Sequence, residues 1–422
     1  MGKIEIDHTG SGGGITLSSD GTSLLLGGTA IGGGGGADLY AANPSSATDP
    51  TANGLNSIAI GDGMTTGSSA VGGIAIGQDG TVSGTNSVSL GKSGAYGTGS
   101  FAAAISSVVY QTYGADGDYS ISVGYRSRAS SSGAIAIGYE AKSLNNYSTA
   151  ISRSYASGAD SFAAAIADNT SSYGATGANS IAIGYQAKAF NTYSVAIGRT
   201  AIAGGDTALA LGEAKANGVR SIAIGTTTSS GKGATGLYAI AIGYNSASTG
   251  TGSVCLGPEN TSSSQYSVAI GRYASSAVEG KLAYSAGRFA AAGDAQGGQF
   301  ILRADTTDAT ATVLTTNNST AASTNQIVAA SDTCITFDGT ITAMQNGAQA
   351  YASWKIEGLL VNDGGTTTLA NSATTVISNS SSWGMALSAD TGNNALAITV
   401  TGEASHNIRW VANIRTTEVT YA

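Results

Sequence analysis

The sequence predicts an all-β chain: a parallel β-solenoid of fourteen-residue repeats, a β-roll, followed by a C-terminal antiparallel β-sandwich. Three observations carry that expectation. A strand-sized phrase, apolar–small–apolar–glycine, recurs along the chain, as in "SIAIG" ending at Gly184 and "SVAIG" ending fourteen residues later at Gly198. Its apolar residues alternate with period two, the strand period, and not with the 3.6 of a helix. Glycine supplies 62 of 422 residues while charged residues make up only 10 %. Ile and Val nevertheless recur in register, which a disordered chain lacks.

The phrase ends at Gly61, Gly77, Gly91, Gly124, Gly138, Gly184, Gly198, Gly212, Gly225, Gly243, Gly257 and Gly271. Degenerate copies ending at Ser106, Ser152 and Ala167 fill the gaps, and irregular spacings imply residues looped out between equivalent coils. Ile181 and Ile183 share one strand face, and Ser180 and Ala182 the other. The glycine that follows permits the positive φ of a sharp turn. A second short phrase then places small residues at alternate positions, Ala187 and Ala189 or Ala201 and Ala203, so each repeat is one coil of two strands and two turns. One coil cannot offset its own ordering entropy, so stability must come from stacking coil on coil.

The expected arrangement buries the Ile/Val column as a continuous core. It leaves the Ser, Ala and Cys face, with Ala182 and Ala196 on it, to pack closely against neighbouring copies in a closed symmetric oligomer. Cys255 takes the small-residue slot of "SVCLG", and Cys334 is far away in a different context, so no disulfide framework is indicated.

Three segments follow. Residues 1–50 form an N-terminal β segment containing "GITLSSDGTSLLL" and a glycine run at Gly32–Gly36 that reads as a hinge. Residues 51–290 are the β-roll; inside it "SFAAAI" occurs twice, each time followed by a longer loop. Residues 291–422 lose the fourteen-residue rhythm, and "QFILRA", "CITFDGTITAM", "ASWKIEGLLV", "ALAITVTG" and "NIRWVANI" read as sandwich strands. In the last, Ile408, Trp410, Ala412 and Ile414 alternate with polar or outward residues.

Composition and motifs exclude several functions. The net charge of −8 lacks the basic patch that nucleic acid or an anionic membrane surface requires. No run reaches the ~20 apolar residues of a membrane helix, and the opening "MGKIEIDHTGSGGG" shows no secretion signal. The two histidines, His8 and His406, lie at opposite ends of the chain, too far apart in sequence to suggest a triad or a metal site. "SLGKSG" lacks the first glycine of a phosphate loop, because Asn86 stands there. Asp305 and Asp308 are too few for calcium, and Glu140 and Glu213 lie several coils apart, which does not make a glycosidase pair. No catalytic residue, metal site or cofactor is expected, and the chain reads as a non-enzyme. Tyr125, Tyr139, Tyr185 and Tyr244 directly follow repeat glycines and line one edge of the roll. They can stack on sugar rings or cover neighbouring coils and chain seams, and the structural role is favoured.

With "SIAIG", "SVAIG" and their period, residues from about Asn56 to Gly287 resemble the head repeat of YadA-type trimeric autotransporter adhesins. That resemblance implies a left-handed parallel β-roll and a homotrimer of adhesive heads. The chain departs from the family in having no signal peptide, no heptad stalk and no C-terminal membrane barrel. Both ends, from "KIEIDHTGSGGGITLSSDGTSLLL" to "NIRWVANIRTTEV", are similar to segments of tailed-bacteriophage structural proteins, notably tail fibres. The expectation is a virion protein assembled in the host cytoplasm. Its partners would be tail or baseplate proteins and a host-surface receptor, with glycan one candidate. The alternatives are a bacterial surface adhesin exported with a separate anchor, and a tail spike that cleaves polysaccharide.

Overall fold

The computed structural model describes residues 48–103, 113–168, 170–347, 350–381 and 383–421, and the backbone of five short strands before residue 48. Every regular element among them is a β-strand. The chain divides into two compact units, Met1–Tyr193 and Ser194–Ala422.

In the first unit, Ile4–Ile6, Ile15–Ser19, Leu24–Leu26 and Thr29–Ile31 pair antiparallel in chain order. Ala37–Asp38 joins the roll by pairing parallel with Ile58–Ile60. The Gly32–Gly36 run, His8 and the end of the degenerate copy at Ser106 lie outside the described residues. From Thr51 onward each coil contributes a two-residue and a three-residue strand, and each pairs in parallel with its equivalent in the next coil. Ile121, Ser122 and Val123 stand beside Ile135, Ala136 and Ile137, which stand beside Thr149, Ala150 and Ile151. The second unit opens with the same coils, where Ile240, Ala241 and Ile242 stand beside Val254, Cys255 and Leu256.

The coil interior corrects the expected facing. Ala59, Ala75, Ala136, Ala150 and Ala182 in the first unit, and Ala196, Ala210 and Cys255 in the second, are wholly buried inside their own coils. The opposing short strand supplies Ala129, Ala156 and Ala189, also wholly buried. The Ile, Val and Leu residues point outward. Small side chains do permit a close backbone approach, but the backbone that approaches belongs to the same coil. Two strands joined by tight turns favour small side chains between them, and the larger Met64, Val82 and Ile166 are wholly buried exceptions.

In most coils serine fits this interior because its hydroxyl finds partners there, although those of Ser100, Ser120 and Ser221 find none among the described residues. Ser57, Ser87, Ser161 and Ser180 donate to the carbonyls of Gly54, Gly84, Gly158 and Gly177 at 2.6–2.7 Å, closing the turn that enters each strand. Across the interior, the hydroxyls of Ser143 and Ser148, and of Ser262 and Ser267, pair at 2.6 Å. Buried polar groups satisfied in this way avoid the desolvation cost of an orphan donor. At the exit turn, Gly124 has φ +123°, and a Cβ there would come within 2.4 Å of the Gly138 carbonyl oxygen in the next coil. Stacking therefore demands glycine twice, for conformation and for space.

In the second unit the last parallel strand, Leu282–Ser285, pairs antiparallel with Ala295–Thr306. Ala295–Thr306 is followed laterally by Ile408–Thr420, Thr333–Gln345, Tyr351–Asp363 and Thr366–Asn379, all antiparallel. A smaller sheet forms around Ala395–Thr401, which pairs with Thr312–Val313, Ile327–Val328 and Gly384–Asp390. Phe300, Leu302, Ile341, Trp354 and Trp410 from the large sheet meet Ile327, Leu396, Ile398 and Val400 from the small one in a single apolar core. Trp410 stacks on Trp354 with ring centroids 5.8 Å apart, and its indole N–H donates to Thr306 Oγ1 at 2.9 Å. The alternation expected for Ile408 to Ile414 holds, with Ile408, Trp410, Ala412 and Ile414 all inward.

One ion pair joins the last coil to this sandwich. Lys281 takes the position that serine holds in most coils, and its Nζ lies 2.6 Å from Glu418 in the final strand. Gln296 donates to the same carboxylate at 2.8 Å. The pair is almost fully buried, so removing one partner would strand the other charge away from water.

Two outcomes test the coil interior. Ala182→Leu should lower the thermal midpoint, by the equivalent of about 1–3 kcal/mol for an overpacked site; an unchanged melting curve would mean the interior has room to spare. The Cys255 thiol, pushed up to about 12 chiefly by burial, stays protonated at neutral pH. A thiol reagent should therefore count one reactive group per folded chain, the exposed Cys334, and two after denaturation.

Candidate functional site

The turns and outer faces of the coils carry the repeat glycines and the aromatic candidates. All twelve repeat glycines, from Gly61 to Gly271, adopt left-handed φ between +73° and +135°. The residue after each glycine is thrown outward. Tyr125 and Tyr139 occupy this position in adjacent coils and stack, with centroids 5.4 Å apart and planes 15° from parallel. The Arg126 guanidinium sits 5.0 Å from the Tyr125 ring centre. Tyr185 holds the same position in a later coil of the first unit, and Tyr244 in the second unit; both are about half exposed.

The charged candidates lie in local pairs. Glu140 sits between Arg126 at 3.7 Å and Arg153 at 3.5 Å. In the second unit, Arg199 pairs with Glu213. Asp305 accepts from Asn318 at 2.9 Å and lies 3.3 Å from Arg409, while hydrogen bonds from Thr310 hold the Asp308 carboxyl below the usual carboxylate range. His406 contacts Glu403 at 3.0 Å on the surface. Among the described residues no three His, Cys, Asp or Glu side chains converge as metal ligands. No helix among them is long and apolar enough to cross a membrane.

The outward apolar row is a larger feature. In the first unit Ile58, Ile76, Leu90, Ile137, Ile151 and Ile181 are each 36–41 % exposed. In the second, Ile197, Ile242 and Leu256 fall in the same range. Parallel pairing places these residues in columns, so each unit exposes a flat aliphatic strip. Contiguous apolar surface of this kind marks a contact face.

A second tyrosine row escaped the sequence reading. Tyr119, Tyr147, Tyr193, Tyr238 and Tyr266 occupy the turn that enters the longer strand, with φ between +53° and +58°. Asn56, Asn86 and Asn179 hold the same position elsewhere. Asparagine tolerates that conformation, whereas a bulky side chain there is costly, roughly 1–2 kcal/mol each. These rings are also exposed, from 47 % for Tyr238 to 69 % for Tyr119. The legible signal was tyrosine replacing asparagine directly before the repeat's Ser or Ala.

Neighbouring coils prepare this row. A Cβ on Gly99 would stand 2.9 Å from the Tyr119 ring, on Gly133 2.6 Å from Tyr147, and on Gly252 2.8 Å from Tyr266. Each of these rings rests against a bare glycine of the preceding coil.

The sequence was compared with known proteins. It matches the family described as YadA head domain repeat over residues 51–63, 115–141, 129–151, 175–201, 191–212, 203–228, 234–257 and 248–274. A search of curated proteins found no match to the chain. The matched segments coincide with stacked coils in both units, and these coils are similar to YadA-type head repeats.

Proposed function

We propose that the chain is a non-enzymatic fibre protein that associates as a homotrimer and attaches a bacteriophage tail to the host cell surface. The outward aliphatic strip carries the association. The coil interior is already filled by Ala and Ser, so these Ile, Val and Leu side chains are the apolar surface left to bury, and three copies facing one another bury it. YadA-type head repeats, typical of trimeric adhesins, support the same stoichiometry.

The virion setting rests on the likeness of both chain ends to phage structural proteins. In this reading the fibre assembles in the host cytoplasm, docks on tail or baseplate proteins, and meets a surface receptor through repeated contacts. Three copies per fibre and several fibres per particle multiply a weak contact into avid attachment. A bacterial surface adhesin with a separate anchor is the second reading, favoured by the match to the adhesin repeat itself.

Sedimentation should give three times the chain mass, and Ile137→Glu combined with Ile242→Glu should reduce it to one chain; a wild-type monomer at micromolar concentration would sink the trimer. Immunogold labelling should decorate the tails of purified virions, and gold found only on bacterial surfaces would transfer the assignment to the adhesin reading.

A further inference from the structure

We infer that the entry-turn tyrosines form a binding site for a neutral, extended glycan, present once in each unit as a Tyr–Gly–Tyr ladder. The inference deepens the attachment reading and rests on it only for its biological setting. In the first unit the ladder is Tyr119, Gly133, Tyr147; in the second it is Tyr238, Gly252, Tyr266. The same spacing recurs in two stretches of chain, whereas elsewhere this turn holds Asn, Gly, Asp, Thr, Arg and the lone Tyr193.

Geometry and chemistry favour a sugar. Strand spacing of about 4.8 Å per coil separates the two tyrosines of a ladder by roughly 10 Å. Tyr147 leans back over the intervening Gly133 as Tyr119 leans over Gly99, and Tyr266 leans over Gly252, so the exposed rings keep the two-coil spacing, which suits alternate rings of an extended oligosaccharide. The apolar faces of pyranose rings stack on aromatics, and their hydroxyls need hydrogen-bonding neighbours. Exposed Asp118, Asn146 and Gln265 each directly precede a ladder tyrosine, and Arg220 bonds the Tyr238 hydroxyl at 2.6 Å.

Other occupants fit less well. Stacked nucleic-acid bases need a basic groove to neutralise phosphates, and this chain carries a net charge of −8. Contact between copies calls for an unbroken surface, which the aliphatic strip provides and the glycine-interrupted tyrosine row does not. Folding does not explain the tyrosines either, because asparagine meets the same backbone demand at Asn56, Asn86 and Asn179 with less strain.

The test uses the full-length protein and the variant Tyr119→Asn, Tyr147→Asn, Tyr238→Asn, Tyr266→Asn. Both are applied to an array of neutral hexose and N-acetylhexosamine oligosaccharides, with sulfated and sialylated glycans and single-stranded DNA as comparison probes. The wild type should retain neutral hexasaccharides at least tenfold better than disaccharides or the anionic probes. The variant should lose at least tenfold of that retention while keeping the oligomeric mass and a melting temperature equal or higher. Three results would overturn the inference: no neutral glycan retained, retention unchanged in the variant, or a variant that dissociates into single chains. Because binding is read on purified protein, failure here with gold-labelled tails removes only the glycan site. Unlabelled tails with glycan retained remove only the virion reading.

Discussion

The distance between the two strands of one coil controls the rest of the molecule. Tight turns bring the strands so close that Ala and Ser fill most of the space between them, with an occasional Thr, Cys, Val or Met. Ala136 and Ala150, in register on successive coils, face that space with no exposure at all, and Ser143 pairs its hydroxyl with Ser148. Such an interior buries little apolar area per coil, so cohesion falls to the parallel ladders and to the stacking of one coil on the next. The large aliphatic side chains are thereby displaced to the outside. A chain that could have built a private core instead exposes the material for a shared one.

Solenoids built this way must be ended as well as extended. An open terminal coil presents unpaired backbone groups that invite further strands. At the end of the second unit the parallel ladder is closed by an antiparallel partner, Ala295–Thr306, and the serine slot is filled by Lys281 held against Glu418. A charged pair in that position supplies direction more than stability, since it ties one coil to one strand of the sandwich. The sandwich has what the coils lack, a thick apolar centre around Trp354, Trp383 and Trp410.

The turns are where variation is permitted. Interior positions tolerate a few small residues and ladder positions answer to their neighbours, but a turn side chain points into solvent and meets only the coil before and the coil after. Arginine–tyrosine contacts and the two tyrosine rows sit there. Binding chemistry on such a scaffold comes from periodic placement: the backbone sets the spacing, and the residue chosen at each turn decides what that spacing can hold.

The strand period, the glycine turns, the parallel coils and the later change to ordinary alternation were all legible from residue order, because each depends on contacts within one or two repeats. Ile408 to Ile414 could be assigned a face for the same reason: a sandwich strand with one apolar and one polar side has a single sensible orientation. In the repeat, both faces are uncharged, and "SIAIG" reads equally well with Ile inside or Ala inside. Only the closed coil decides between them, since its width is a property of two strands and two turns together, and that width admits alanine and turns isoleucine out. The left-handed tyrosines were hidden in the same way, because a turn's φ depends on how the coil closes and not on the letters beside it.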